Sequence, residues 1–253
     1  MKNGLIFLIL AITAGNLSAQ PAVMNILKKL DDNYSQTTDI SARVVMTQQK
    51  VGQGIKTMSV MYYRRDSDKS FLIVMTAPEN EKGNGYLRVD DNFWMYRRNT
   101  RTFQFINRDE SIGGTNAKGE NFENRKLADL YSPALDTSGR EVISKEKLGK
   151  IPVYRLEIRA KVKDVDYPKK TFWVRQDNYL TLKEADYSLT GTLMQTVYIM
   201  KYTEVNGHYV PSKQLYIDEF EKGNKTTVDI SDISTQKLDG AIFTKAYLEN
   251  LSK

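Results

Sequence analysis

The chain has 253 residues, 40% of them apolar, with 37 Lys plus Arg against 31 Asp plus Glu and a formal net charge of +6. It has no cysteine, which excludes disulfides, thiolate zinc sites, a cysteine nucleophile and a lipid-modified cysteine, so a packed core alone must hold the fold. The basic residues are spread over nearly every expected strand and do not form a block interleaved with aromatics, so no nucleic acid is expected as a partner. The excess charge suits an anionic surface such as lipid headgroups, and equally an ordinary solvated exterior.

In chain order, residues 1–19 read as a secretory signal: Lys2, the apolar run from Leu5 to Ile12, then small and polar residues ending at Ala19. Cleavage is expected between Ala19 and Gln20, leaving 20–253 as a single domain. The apolar run is too short for a membrane span of ~20 residues. A helix follows, because Val23, Ile26, Leu27 and Leu30 recur at three- and four-residue steps, Pro21 suits a first turn, and Asp31-Asp32-Asn33 is expected to end it. Three strands are expected at 40–50, 56–65 and 69–76. In the first two, Val44, Met46 and Gln48, and then Met58, Val60 and Tyr62, share faces, yet the alternation is imperfect and both sides stay partly apolar. Such strands meet a core on one side and a helix or ligand space on the other.

Residues 83–131 organise the rest. From 85 to 106 apolar and polar residues alternate around the turns Asp90-Asp91-Asn92 and Arg98-Asn99-Thr100, as in a β-meander with one buried face. Residues 108–121 have few large apolar groups and contain Gly113, Gly114 and Gly119, which reads as a mobile loop with a glycine hinge. Phe122, Leu127, Leu130 and Tyr131 then fall at roughly helical spacing before Pro133. A short amphipathic helix on a flexible tether is how a lid over an apolar cavity could be built.

The strand pattern returns at 140–148 and 153–162, where Tyr154, Leu156 and Ile158 share one face and Arg155, Glu157 and Arg159 the other. Further strands are expected at 171–175, 181–188, 192–204, 209–220 and 225–234, joined by turn residues such as Asn206-Gly207. A final helix is expected over 243–251. The sum is eleven to thirteen strands and few helices. A single sheet that large must curl or close. The expected fold is therefore mainly β: a curled, incompletely closed antiparallel β-barrel with helices covering the concave side.

Motifs of chemistry are sparse. The one histidine, His208, flanks a hairpin turn and reads as structural. Asp31-Asp32, Asp90-Asp91 and Asp218-Glu219 do not make a paired-carboxylate site, because neighbours in a strand point to opposite faces and the first two pairs lie in turns. The glycines of 113–119 lack phosphate-loop spacing, and no nucleophile elbow or HExxH is present. No catalytic residue, metal site or cofactor is therefore assigned, and a non-enzymatic protein is expected. A hydrolase with carboxylates distant in sequence is the rival.

What remains is adaptable apolar surface, with methionines at 46, 58, 61, 75, 95, 194 and 200 and aromatics on the meander. GYLRVDDNFWMYRRNTRTFQFI, a glycine-rich loop and FENRKLADLY together resemble the outer-membrane lipoprotein-sorting family, the LolA/LolB-like proteins. The likeness extends over essentially all of 20–253. It implies an incomplete barrel that carries lipid or lipoprotein acyl chains through the periplasm; the missing cysteine after the signal leads us to expect no lipid anchor. By that implication Trp94 and Tyr96 belong to a W-x-Y strand, and Phe122, Leu127 and Leu130 to the lid. The expected cavity lining is Met46, Met58, Val60, Leu87, Val89, Trp94, Tyr96, Phe103, Phe105, Leu156 and Ile158. The expected partners are acyl chains, an inner-membrane transporter and an outer-membrane acceptor, with the chain itself a monomer. The alternative is a lipid-sensing adaptor for an envelope transporter or a stress-signalling partner.

Overall fold

The computed structural model describes residues 20–35, 38–123 and 125–251; the expected signal segment at 1–19 lies outside the described residues. Helix α1 (Val23–Tyr34) opens the chain and is followed by β1 (Ile40–Lys50), β2 (Gly54–Arg65), β3 (Ser70–Ala77), β4 (Gly85–Val89), β5 (Asn92–Arg97) and β6 (Thr102–Phe105). A one-turn helix α2 (Leu127–Leu130) leads into β7 (Tyr131–Pro133). Then come β8 (Ile143–Leu148), β9 (Ile151–Ala160), β10 (Lys169–Arg175), β11 (Thr181–Tyr187), β12 (Leu193–Val205), β13 (His208–Asp218), β14 (Lys225–Ser234) and α3 (Lys245–Leu251).

The fourteen strands of the described residues form one sheet in the order β6-β5-β4-β3-β2-β1-β14-β13-β12-β11-β10-β9-β7, with β8 sharing an edge of β9 with β7. Two meanders run outward from the central β1–β14 pair, every pairing is antiparallel, and β6 and β7 end the sheet without pairing to each other. The sheet is a curled, unclosed barrel. The chain between β6 and α2 starts at one sheet edge and ends beside the other. It therefore has to cross the open side, and it lies there as a strap.

Register decides which residues face inward. Val44, Met46 and Gln48 of β1 pair with Val60, Met58 and Lys56 of β2; Val60, Tyr62 and Arg64 pair in turn with Met75, Ile73 and Phe71 of β3. Ile73 and Phe71 oppose Tyr86 and Arg88, which oppose Met95 and Phe93. These residues share the inner face, because side chains of directly paired residues point to the same side. Leu72, Leu87, Trp94 and Phe105 form the opposite row, as do Val74, Gly85, Tyr96 and Phe103.

Three apolar clusters follow. The inner face of β1 to β5 packs with Ile112, Ala117 and Phe122 of the strap. Helix α1 buries Val23, Ile26, Leu27 and Leu30 completely against Leu156, Ile158, Phe172 and Val174 of β9 and β10. The outer face of β3 to β5 is covered by Phe243 and Leu248 from the C-terminal segment, whose 3-10 turn (Gly240–Phe243) precedes α3.

Four local expectations need correction. Helix α1 does not end at Asp31; it continues to Tyr34, and the Asp31 carboxylate accepts from Leu127 N of another element. The 108–121 segment is no loose loop: Ile112 is fully buried, and Gly113 and Gly119 are points of close approach. A Cβ on Gly113 would sit 2.5 Å from the Met58 sulfur, and one on Gly119 would sit 2.7 Å from the Phe93 ring. The proposed helix over 122–131 is only Leu127–Leu130, with Phe122 closing a 3-10 turn (Gly119–Phe122) and Tyr131 starting β7. That three-residue strand is too short to show alternation, so it escaped the count.

Candidate functional site

A cavity of about 280 Å³ lies between the inner sheet face, α1, the strap and α2. One wall is Ile40 and Ala42 of β1 with Val228 and Ile230 of β14; a second is Ile199, Tyr209, Val210, Pro211 and Tyr216 from β12 and β13. Tyr34, Phe172 and Thr181 form the floor under α1, and Phe122 and Leu127 close the remaining side. Its size is near the lower end of ligand pockets, roughly 300 Å³ and upward. The lining is mainly apolar, with polar groups gathered at Asp31, Arg64, Glu123, Arg125 and Glu184.

The cover is held by specific bonds. Asp31 accepts hydrogen bonds from Leu127 N at 2.6 Å and Ala128 N at 2.9 Å, so one carboxylate from α1 holds the N-terminus of α2. Burial raises its pKa, while the two backbone donors oppose the shift. The Tyr62 hydroxyl donates to Phe122 O, the two rings meet edge to face at 5.4 Å, and burial pushes the hydroxyl pKa up to about 12. Further along the strap, Gln48 Nε2 donates to Gly114 O at 2.6 Å and Gly113 N donates to Tyr86 Oη at 2.9 Å. Asn116 donates from Nδ2 to Asp218 Oδ2 at 3.2 Å and accepts at Oδ1 from Thr226 Oγ1 at 3.0 Å. The strap is stitched across the barrel from β4 to β13.

A buried ion cluster stands beside the cavity on β10 and β11. Lys170 Nζ lies 2.6 Å from Glu184 and 3.1 Å from Asp186, and all three share the inner face. Burial raises the Asp186 pKa well above its ordinary value, and the nearby Glu184 adds to that. Lys170 is itself held well above the usual lysine range by Asp186, Glu184 and Glu120, against the opposing effect of its burial. Among the described residues, no group of three or more His, Asp or Glu could hold a metal ion.

Of the residues expected at the site, Phe122 and Leu127 border the cavity; Leu130, half-buried, packs against the α1 cluster and lines a different, basic cavity. None of the eleven expected lining residues borders it. Met46, Met58 and Val60 are on the correct face but fully buried where the strap fills the concavity. Leu156 and Ile158 are covered by α1. Leu87, Val89, Trp94, Tyr96 and Phe103 lie on the opposite face, where the C-terminal segment covers them, and Phe105 on that face is 61% exposed. The cause is parity: the W-x-Y strand carries its largest rings outward, and Phe93 and Met95 point in.

Sequence reasoning missed Asp31 as the anchor of α2, because an acidic pair after an apolar run looks like a stop signal. It also missed Glu184 and Asp186. Their two-residue spacing puts both carboxylates on one strand face, and that signal was available.

Comparison with known proteins agrees with this architecture. A search of curated proteins finds no match. Among solved structures, a LolA superfamily protein from Nitrosomonas europaea is 19% identical with a TM-score of 0.75, covering 90% of this chain and 100% of that one. A DUF1329 family protein from Desulfovibrio piger is 22% identical with a TM-score of 0.77, covering 89% and 97%. A putative outer-membrane lipoprotein-sorting protein domain from Vibrio parahaemolyticus is 18% identical with a TM-score of 0.76, again covering 89% and 97%. At these identities the likeness is one of fold. A family model described as an uncharacterized "-like" protein matches residues 67–250. With that match over most of its length, the chain belongs to this uncharacterized "-like" family, and its unclosed, curled sheet is the fold shared with the LolA superfamily and lipoprotein-sorting structures.

Proposed function

We propose that the protein is a non-enzymatic periplasmic carrier that holds acyl chains of a lipid or lipoprotein in the cavity beneath Phe122 and Leu127. A single observation supports this most: the strap and α1 fill two parts of the concave face, and a third, lined by Ile199, Val228, Ile230 and Tyr216, is left unfilled by the chain's own side chains. Each methylene taken from water into such a space contributes about 0.8 kcal/mol, so even a short stretch of chain binds usefully. A longer chain needs the strap or α2 to lift, and α2 is the less firmly held of the two, being a single turn held by Asp31 and apolar contacts with α1. The described residues contain no helix long and apolar enough to cross a membrane. The LolA superfamily and lipoprotein-sorting names of the similar structures agree with such a role.

Mass spectrometry of organic extracts from natively purified protein tests the reading. Recovery of a stoichiometric lipid or acylated peptide is expected. Empty protein that also fails to bind a fluorescent fatty-acid probe would refute it.

A further inference from the structure

A second cavity, of about 430 Å³, adjoins the first and shares Arg64, Glu123 and Arg125 with it. Its character is opposite. Five guanidinium groups line it: Arg64, Arg65, Arg88, Arg108 and Arg125, whose side chains are 16%, 22%, 3%, 15% and 19% exposed. Only two acids are comparably buried, Glu123 and Asp66, at 7% and 13%. The other ion-pair partners in the lining, Asp91 and Asp164, are 80% and 71% exposed and belong to the rim. Glu123 takes both Arg88 Nη1 at 2.6 Å and Arg108 Nε at 3.0 Å. Among the described residues nothing accepts a hydrogen bond from the buried Arg88 Nε. Buried guanidinium groups in excess of carboxylates, one with a spare donor, are suited to an oxyanion, because charge-assisted and bidentate bonds offset their desolvation.

We propose that this second cavity seats the phosphate of an anionic amphiphile whose chains occupy the apolar cavity. The inference rests on the carrier reading and extends it to the headgroup. Arg64 and Arg125, which belong to both cavities, stand where a headgroup joins its chains. Lys69 and Lys126 add cationic charge to the lining.

The test is calorimetry with monomeric dihexanoyl phosphatidate, uncharged dihexanoylglycerol and inorganic phosphate. Phosphatidate is expected to bind at least about ten-fold more tightly than the diacylglycerol, the worth of a charge-assisted hydrogen bond. Arg108→Gln, in the second cavity and not the first, is expected to remove that preference and leave diacylglycerol binding intact. Should Arg108→Gln not fold, the double substitution Lys69→Gln and Lys126→Gln replaces it, with a reduced preference expected. Equal affinity for the two lipids would overturn the headgroup site while the carrier reading stands. Binding of neither lipid would overturn both. Inorganic phosphate bound as tightly as phosphatidate would overturn the amphiphile and leave a free-phosphate site.

Discussion

The two faces of the sheet carry similar kinds of apolar residue and meet different fates. On the outer face of β3 to β6, Leu72, Leu87, Tyr96 and Phe103 are closed over by Phe243 and Leu248. On the inner face of β12 to β14 and β1, Ile199, Val228, Ile230 and Ile40 border open volume. Apolar composition alone therefore does not mark a binding site. What distinguishes the two is whether another segment of the chain arrives to cover them.

The comparison is sharpened first by removing the outer cover. Leu248→Ala is expected to destabilise the fold by about 2–5 kcal/mol, as truncation of a fully buried leucine does, without changing affinity for a fatty-acid probe. Chemical denaturation and probe titration on the same sample check it, and parallel losses of stability and affinity would break the distinction between faces. Next, Ile230→Asp places a carboxylate in the inner cavity and is expected to weaken probe binding by at least about ten-fold, because an unpaired charge in an apolar site is costly. Unchanged affinity would show that the probe binds elsewhere.

Smaller effects test the cover itself. Asp31→Ala removes the acceptor for two backbone donors of α2 and is expected to cost about 1 kcal/mol, with faster amide exchange at Leu127 and Ala128. Unaltered exchange there would mean that α2 is held by its apolar contacts alone.

Acidity reads the same inner face. Burial raises the pKa values of Asp31, Glu120, Glu123 and Asp186. The folded state then holds their protons more firmly than the unfolded chain does. Their contribution to stability is complete below the unfolded carboxyl pKa and fades as pH rises through the folded values. Hydrogen bonds from Arg65 and Arg108 lower Asp68 and Asp164, whose contribution is present above the unfolded pKa and is lost as pH falls through the folded one. Thermal stability is therefore expected to rise from neutral pH toward about pH 5 and to fall below about pH 4. Glu120→Gln should flatten the rise, and a melting temperature constant between neutral pH and pH 5 would contradict the assignment. Last, both tryptophans, Trp94 and Trp173, lie outside the cavity lining, so intrinsic fluorescence is expected to stay constant when an acyl ligand binds. A large emission change would return Trp94 to the site.

Much of the architecture was legible in the chain. Period-two alternation and hairpin residues such as Asn206-Gly207 gave most strands to within a few residues, and the steps between Val23 and Leu30 gave α1, because these patterns express local backbone geometry. The strap was misread for a physical reason. Glycines that let a backbone press against Met58 and Phe93 look, in one dimension, the same as glycines that let it move.

By itself the sequence determined that the chain makes one large curled antiparallel sheet with a helix at each end, since alternation, turn chemistry and the absence of cysteine leave little else. Only the tertiary structure decided which face holds a ligand. Shifting a strand's assignment by a single residue exchanges its two faces, and nothing local in β4 to β6 says whether the C-terminal segment or the strap will cover Trp94. That choice belongs to contacts between residues more than a hundred positions apart, such as Tyr96 with Leu248 in one cluster and Asn116 with Thr226 in another.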